Sequence, residues 1–208
     1  MAITGNEYDF TGTGGITTVN IPGLTANNTF TGSQTFLGNE NATNTTSGVL
    51  RIAGGLGVSG GIIANEVWGA IWNDLADCLS VPEDTDLEPG YAYCFDGKRY
   101  YKSRKYMDDG FIGIHSDTAG FSMGYKQTGK QLKAGVAGFI LVYIDQEYPV
   151  GTPLTLAEGG KLTKIKDEDI LKNPHKVIGT FWKKEPAEKW GPEGKEVSVN
   201  GRMWIKVK

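Results

Sequence analysis

A glycine-rich stretch is the first motif in the chain that could carry chemistry. Gly55-Leu-Gly-Val-Ser-Gly60 satisfies the GxGxxG pattern of dinucleotide-binding loops. Such a site also needs a second strand directly after the following helix, with an acidic residue near its end to bind the ribose. Here the chain continues into Asp77-Cys-Leu-Ser-Val-Pro82 and an acidic loop. The sequence also has no Gly-Lys-Ser/Thr ending, so we expect neither a dinucleotide site nor a P-loop.

Metal ligands are the second candidates. Asp84, Asp86 and Glu88 could offer carboxylate oxygens to Ca²⁺. This stretch lacks the glycine and the distant glutamate of an EF-hand, so it is interpreted as a solvated acidic loop. The histidines, His115 and His175, match no standard zinc spacing with the two cysteines. The sequence therefore predicts no metal and no cofactor.

Nucleophilic chemistry is equally unsupported. A serine–histidine site would depend on His115 and on a serine that no Gly-x-Ser-x-Gly motif identifies. Cys78 and Cys94 are predicted to be separate small core residues. We therefore expect no catalytic residues, and the chain is predicted not to be an enzyme.

Aromatic residues could form a sugar-binding surface, because Trp and Tyr combine an apolar face with a polar group. Core packing is the favoured interpretation for any one of them. Trp190 stands between Lys189 and Gly191-Pro192, in a stretch typical of loops. It is the best candidate for an exposed aromatic residue that contacts a ligand.

Charge and hydropathy exclude further classes of protein. The net charge is −3 and the isoelectric point is near 5.5, whereas nucleic-acid binders usually carry a basic face. No apolar run approaches the roughly 18 residues that a membrane span needs. The N-terminus has no basic segment followed by an apolar one, so we expect no signal peptide and synthesis in a cytoplasm.

The composition changes sharply near residue 66. Residues 1–66 contain one basic and four acidic residues and are rich in Gly, Thr and Asn. Their few large apolar side chains cannot offset the roughly 1–2 kcal/mol of backbone entropy that each ordered residue costs. This stretch is either disordered or shares a core with copies of itself, and its low charge and many threonines favour the second. A trimeric β stalk over residues 1–64 would bury Phe30, Phe36, Leu56 and Val58 around one axis.

The next segment has apolar residues at helical spacing. They form one stripe that predicts a helix from about Asn65 to Asp77, and thus a neck over residues 65–78. In a trimer this helix would form a three-helix neck, whereas in a single chain it would pack on its own head; both remain open. The neck residues assigned to the trimer core are Val67, Trp68, Ile71, Trp72 and Leu75.

Residues 79–208 show short apolar runs separated by turn signals such as Asp96-Gly97 and Asn200-Gly201. This pattern predicts closely spaced antiparallel strands that form a barrel or a sandwich. The predicted fold is therefore mainly β, with a Gly/Thr/Asn-rich stalk, a short helical neck and a β-rich head.

Two groups of segments carry a resemblance. Thr29–Phe36 and Thr46–Gly61 look like segments of phage tail-fibre and appendage proteins. The rest is similar to C-terminal domains of phage appendages, including those related to the self-cleaving chaperone domain called peptidase G2. The segments that carry this second likeness occur in order at Trp72–Asp77, Leu87–Gly90, Tyr106, Ile112–Asp117, Gly135–Gly138, Val150–Leu154 and Val177–Gly179. The likeness covers most of residues 28–182 and implies a trimeric, β-rich virion protein.

The resemblance leads to one leading hypothesis and two alternatives. The leading hypothesis is a homotrimeric structural fibre or appendage of a bacteriophage virion, anchored to other virion proteins through its N-terminal region. Its head would contact a glycan or protein of the host surface. One alternative is a capsid-attached head fibre or decoration protein without a receptor role. The other is a self-cleaving appendage domain, although no catalytic pair can be matched residue by residue.

Overall fold

A computed structural model describes residues 47, 49–50, 52, 56–59, 62, 74–124, 129–191, 194 and 196–207. The chain divides into two units, Met1–Ile63 and Ala64–Lys208. The described residues of the second unit are called the head below. None of the helices among the described residues is long and apolar enough to cross a membrane.

The head is built from short strands. Its elements are β1 Asp74–Ser80, β2 Ala92–Phe95, β3 Tyr100–Lys102, β4 Phe111–His115, β5 Ala119–Met123, β6 Gln131–Val142, β7 Pro153–Leu156, β8 Leu162–Lys164, α1 Asp167–Lys172, β9 Gly179–Lys184, β10 Lys189–Trp190, β11 Val197–Ser198 and β12 Met203–Val207. Most of them form one curled, half-barrel sheet in the order β3-β2-β4-β6-β12-β9-β7-β8. The prediction of a mainly β head with an antiparallel sheet is confirmed.

Strand β6 is the longest element and organises this sheet. It pairs antiparallel with β4, β12 and β1, and β1 in turn pairs parallel with β5. The small hairpin of β10 and β11 forms a separate sheet. Because β6 has three partners, residues distant in sequence meet along it.

Alternating side chains of the central strands fill the main core. Ile140 and Val142 of β6, Ile205 of β12 and Phe181 of β9 are buried in one cluster. Strand residues two apart share a face, so this alternation places one face of the sheet on the core. Each such buried side chain contributes about 1.5–3 kcal/mol to folding. The face that carries these residues is called the inner face below.

The predicted helical neck is wrong at its C-terminal end. Asp74–Asp77 belong to strand β1, with Leu75 paired to Ala137 of β6 and to Phe121 of β5. Hydrogen bonding to a strand on either edge outweighs the helical spacing of the apolar residues, because periodicity in a short segment is a weak signal against tertiary pairing. Cys78, the last residue of the predicted neck, is also in β1, whereas residues 65–73 of the neck and most of the predicted stalk, including residues 1–46, lie outside the described residues.

The two turn signals have different outcomes. Asp96-Gly97 connects β2 to β3, which pair as a hairpin. Asn200 and Gly201 both have positive φ angles, of 50° and 76°, and the Arg202 amide donates to the Val199 carbonyl at 2.9 Å. The predicted turn at residues 200–201 is therefore present, but β11 and β12, which flank it, belong to different sheets.

We predict that Gly179→Ala destabilises the head. A Cβ atom at residue 179 would collide with the backbone carbonyl oxygen of Lys206 and force β9 away from β12. The free energy of unfolding should fall by about 1–3 kcal/mol, as for overpacked cores. Chemical denaturation measures this change, with Thr180→Ser as the control, expected to cost less than about 1 kcal/mol. Equal stabilities of Gly179→Ala and the wild type would contradict the packing described for these strands.

Candidate functional site

A buried polar cluster lies where β1 begins. The loop Ser116-Asp117-Thr118 follows β4 and brings two hydroxyl groups against the Asp74 side chain. The Ser116 amide donates to the Lys133 carbonyl at 2.8 Å, which fixes the loop on β6. The Thr118 amide donates to Ser116 Oγ at 3.0 Å, a local side-chain-to-backbone bond typical of tight turns. Asp74, Ser116 and Thr118 are all buried.

Asp74 is the most unusual member of the cluster. Its Oδ1 atom accepts a hydrogen bond from Thr118 Oγ1 at 2.8 Å, and Thr118 Oγ1 lies 3.2 Å from Ser116 Oγ. Its Oδ2 atom is buried and has no hydrogen-bond partner among the described residues. A buried carboxylate oxygen without a donor favours the protonated acid. This side chain is only 6% exposed.

Burial controls the ionisation of Asp74. Desolvation raises the pKa of its carboxyl to about 6, while the hydroxyl groups of Ser116 and Thr118 act in the opposite direction. The charge of Asp117 raises this pKa slightly further, and that of Lys133 lowers it. A carboxyl group that titrates this close to neutrality in a buried cluster marks a candidate functional site.

A second buried charge stabilises the same loop. Arg202 is 3% exposed, and its guanidinium donates to both carboxylate oxygens of Asp117, at 2.7 and 2.9 Å. Arg202 also donates to the carbonyl oxygens of Val199 and Ser198. The bidentate pair satisfies the charge of Arg202 and ties the β4–β5 loop to the turn before β12.

His115 accepts a backbone hydrogen bond beside this cluster. Its Nδ1 atom accepts a hydrogen bond from the Lys133 amide at 3.1 Å, and burial lowers the pKa of its imidazole. The ring is therefore neutral near pH 7, with Nδ1 occupied. Ser116 Oγ lies against Thr118 instead, so the geometry is not that of a serine–histidine pair.

The residues predicted to form the trimer core are only partly placed. Leu56 and Val58 are 66% and 46% exposed in the single chain. Leu75 is half-buried on β1. The other six, Phe30, Phe36, Val67, Trp68, Ile71 and Trp72, lie outside the described residues. Their role in a shared core stays a prediction.

Trp190 is half-buried, which differs from the exposed position predicted for it. Its ring lies edge-on to that of Trp204, with centroids 4.9 Å apart and an interplanar angle of 74°. Pairing of β10 with β11 places Trp190 beside Val197, over the small cluster around Trp204. A role for Trp190 in ligand contact stays a prediction.

Two of the candidate metal ligands, Asp86 and Glu88, form ion pairs with a lysine, and the two cysteines are unbonded to each other. Lys102 Nζ lies 3.0 Å from a carboxylate oxygen of Asp86 and from one of Glu88. Among the described residues, no group of three or more His, Cys, Asp or Glu side chains is arranged to hold a metal ion. Both cysteines are free thiols, and burial raises the pKa of Cys94 to about 12.

Sequence reasoning did not identify Asp74, Thr118 or the Asp117–Arg202 pair. The available signal was weak: the segment Ser116-Asp117-Thr118 is polar between two apolar strands, which is equally typical of a solvated loop. Thr118 and Asp74 are 44 residues apart in the chain, so only the fold brings them together.

Comparisons with known proteins give limited information. No family model matches the chain, and no curated protein matches it. Among solved structures, it is similar to the crystal structure of the pre-mature bacteriophage phi29 gene product 12, with a TM-score of 0.47 and 16% sequence identity. The likeness covers 72% of this chain, which spans only 23% of the length of that protein. It is too distant to transfer a family or a function.

We predict that Asp74→Asn shifts the pH dependence of stability. The pKa of Asp74 is higher in the folded protein, about 6, than its ordinary value of 3.8. The stability it contributes is therefore complete below about pH 4 and is lost as the pH rises through 6. Since Asn cannot ionise, the variant should gain up to about 3 kcal/mol relative to the wild type between pH 4 and pH 7.5.

Chemical denaturation at both pH values measures this shift at a fixed protein concentration. Asp84→Asn, at an exposed carboxylate in the loop before β2, is the control and should leave the stability nearly unchanged at both pH values. An Asp74→Asn difference that is the same at pH 4 and pH 7.5 would show that Asp74 does not titrate in this range.

Proposed function

We propose that this chain is a non-enzymatic structural appendage protein of a bacteriophage virion. It acts as a homotrimer that is anchored through its N-terminal region to other virion proteins. The head contributes to contact with a glycan or protein of the host surface. The protein is made in the host cytoplasm and then resides in the virion.

The proposal of a homotrimer is based on exposed apolar side chains in the glycine-rich stretch. Leu56, Val58 and Ile62 lie in a glycine-rich stretch with 66%, 46% and 70% of their surfaces exposed in the single chain. Exposed apolar side chains that cluster in one segment indicate a surface that another chain covers. Copies of the same stretch around one axis would bury them together and leave no strand edge open.

The structural role is supported by the internal hydrogen bonds of the polar groups in the head. The Asp117–Arg202 pair and the hydroxyl groups near Asp74 are bonded to each other and to the backbone. Together with the resemblance of its ordered sequence segments to phage appendages, this favours a scaffold over a catalyst. A capsid-attached decoration protein without a receptor role has the same architecture and remains the closest alternative.

Self-cleavage is a second candidate because of one specific observation. Asp74 is a buried acid at the start of β1, and its pKa is near 6. A carboxyl group with such a pKa can act as a general acid or base. Intact mass spectrometry after expression separates the two roles. A single mass of the full chain supports the structural role, whereas a fragment that starts near residue 74 supports cleavage.

The homotrimer is tested with Leu56→Asp and its control Ser59→Asp, an exposed polar site three residues away. Light scattering of the wild type should give three times the chain mass of 22.5 kDa at micromolar concentration. Leu56→Asp should raise the concentration needed for trimers at least about tenfold, because each chain loses the burial of one leucine, worth roughly 1.5–3 kcal/mol. Ser59→Asp should leave the trimer unchanged.

A monomeric wild type would refute the shared core. A trimer that is equally stable in both variants would show that Leu56 is not part of it. Locating the protein in the particle by cryo-electron microscopy then distinguishes a tail appendage from a capsid-attached one.

A further inference from the structure

The face of the sheet opposite the main core carries a continuous line of apolar side chains. Phe121 pairs with Leu75, and Leu75 pairs with Ala137. Residues paired across neighbouring strands project from the same face, as do Ala137 and Phe139, which are two apart on β6. The rings of Phe139 and Trp182 have centroids 4.3 Å apart. These five residues are called the outer row below.

The outer row is accessible in the single chain. Phe121 is 63% exposed and Ala137 is also exposed, while Leu75, Phe139 and Trp182 are half-buried. The row crosses several strands of one sheet rather than consisting of scattered single residues. A contiguous apolar surface of this kind usually marks a contact with another molecule.

The two ends of the outer row carry opposite charges. At one end, Lys206 Nζ lies 4.7 Å from the ring centroid of Phe139, and Lys183 Nζ lies 4.6 Å from that of Trp182. At the other end, Asp77 follows Leu75 by two positions on β1 and so projects from the same face. The surface is therefore basic at one end, apolar along its length and acidic at the other end.

In the described part of the chain, the edge of the sheet beside Phe121 is unpaired. Among the described strands, β5 is hydrogen-bonded to β1 alone, and its central residues Gly120–Ser122 are exposed. An open edge next to an apolar surface is a site where another polypeptide can add contacts.

We propose that the outer row is the contact between the heads of neighbouring copies of this chain. The proposal rests on the homotrimer proposed above and names the surface through which its heads meet. In a trimer with threefold symmetry, each contact joins one region of a copy to a different region of the neighbouring copy. The basic end around Lys206 in one copy then faces the acidic end around Asp77 in the next, and the apolar residues are buried between them.

The composition of the outer row favours a second copy over an acidic polymer. A polyanionic glycan would match the two lysines but would be repelled by Asp77. Leu75 and Ala137 offer neither an aromatic face nor hydrogen bonds to a sugar. A second copy matches both charged ends and the apolar centre.

Site-specific cross-linking of the full chain tests the proposal. The photoreactive residue p-benzoylphenylalanine replaces Phe121 in one variant and Leu171 in the matched control. Leu171 lies in α1 and is 89% exposed, so it is an apolar surface residue outside the outer row. Irradiation should join chains covalently from position 121 and give only background from position 171.

Reversing the charges of Lys206 and Asp77 tests whether the basic end of one outer row faces the acidic end of another. Lys206→Glu should lower the cross-linking yield from position 121 at least about threefold, because two acidic ends then face each other. Adding Asp77→Lys to that variant restores opposite charges and should restore the yield.

Each outcome decides the proposal. A trimeric wild type with equal yields from positions 121 and 171 would overturn the head contact and leave the proposed function standing. A monomeric wild type would overturn both. A monomer that is cross-linked from position 121 to added dextran sulfate would assign the outer row to an acidic polymer instead. If adding Asp77→Lys does not restore the cross-linking yield, Lys206 of one copy does not face Asp77 of the next.

Discussion

A buried ion pair between Arg202 and Asp117 joins two loops that are 85 residues apart in the chain. The cost of removing the guanidinium from water is offset because Asp117 binds it in two places and the backbone carbonyls of Val199 and Ser198 accept its other bonds. Gly90 is part of the same arrangement, because its φ angle is +86° and a Cβ atom there would collide with the Arg202 side chain. The position of the turn before β12 therefore depends on the loop after β4.

The loop after β4 also holds strand β1 in place. Ser116 and Thr118, on either side of Asp117, surround the Asp74 carboxyl at the start of β1. Strands β1 and β12 are thus both fixed by one three-residue loop, and both are hydrogen-bonded to β6. These polar groups therefore make their hydrogen bonds within the head.

The sequence predicted what local chemistry determines and missed what depends on distant residues. The turns at Asp96-Gly97 and Asn200-Gly201 were predictable because their geometry is a property of those residue types. The strand pairing at the second turn was not, since β11 pairs with β10 rather than with β12. Leu75 was assigned to a helix because it completes an apolar stripe, whereas β5 and β6 hold it in a strand. The buried role of Asp74 was not predictable, because its hydrogen-bond donor is 44 residues away.

A double-mutant cycle on the ion pair tests most directly whether it holds the head together. Asp117→Asn and Arg202→Met are measured singly and together by chemical denaturation. Asp117→Asn should cost about 3–5 kcal/mol, because it leaves the buried guanidinium of Arg202 without its partner charge. Arg202→Met should cost less, because the Asp117 carboxylate that it leaves unpaired is 25% exposed. The double variant should cost less than the sum, with a coupling free energy of about 2–3 kcal/mol. Costs that add to within about 0.5 kcal/mol would show that the two side chains stabilise the head independently, which would contradict the role of the ion pair in joining the two loops.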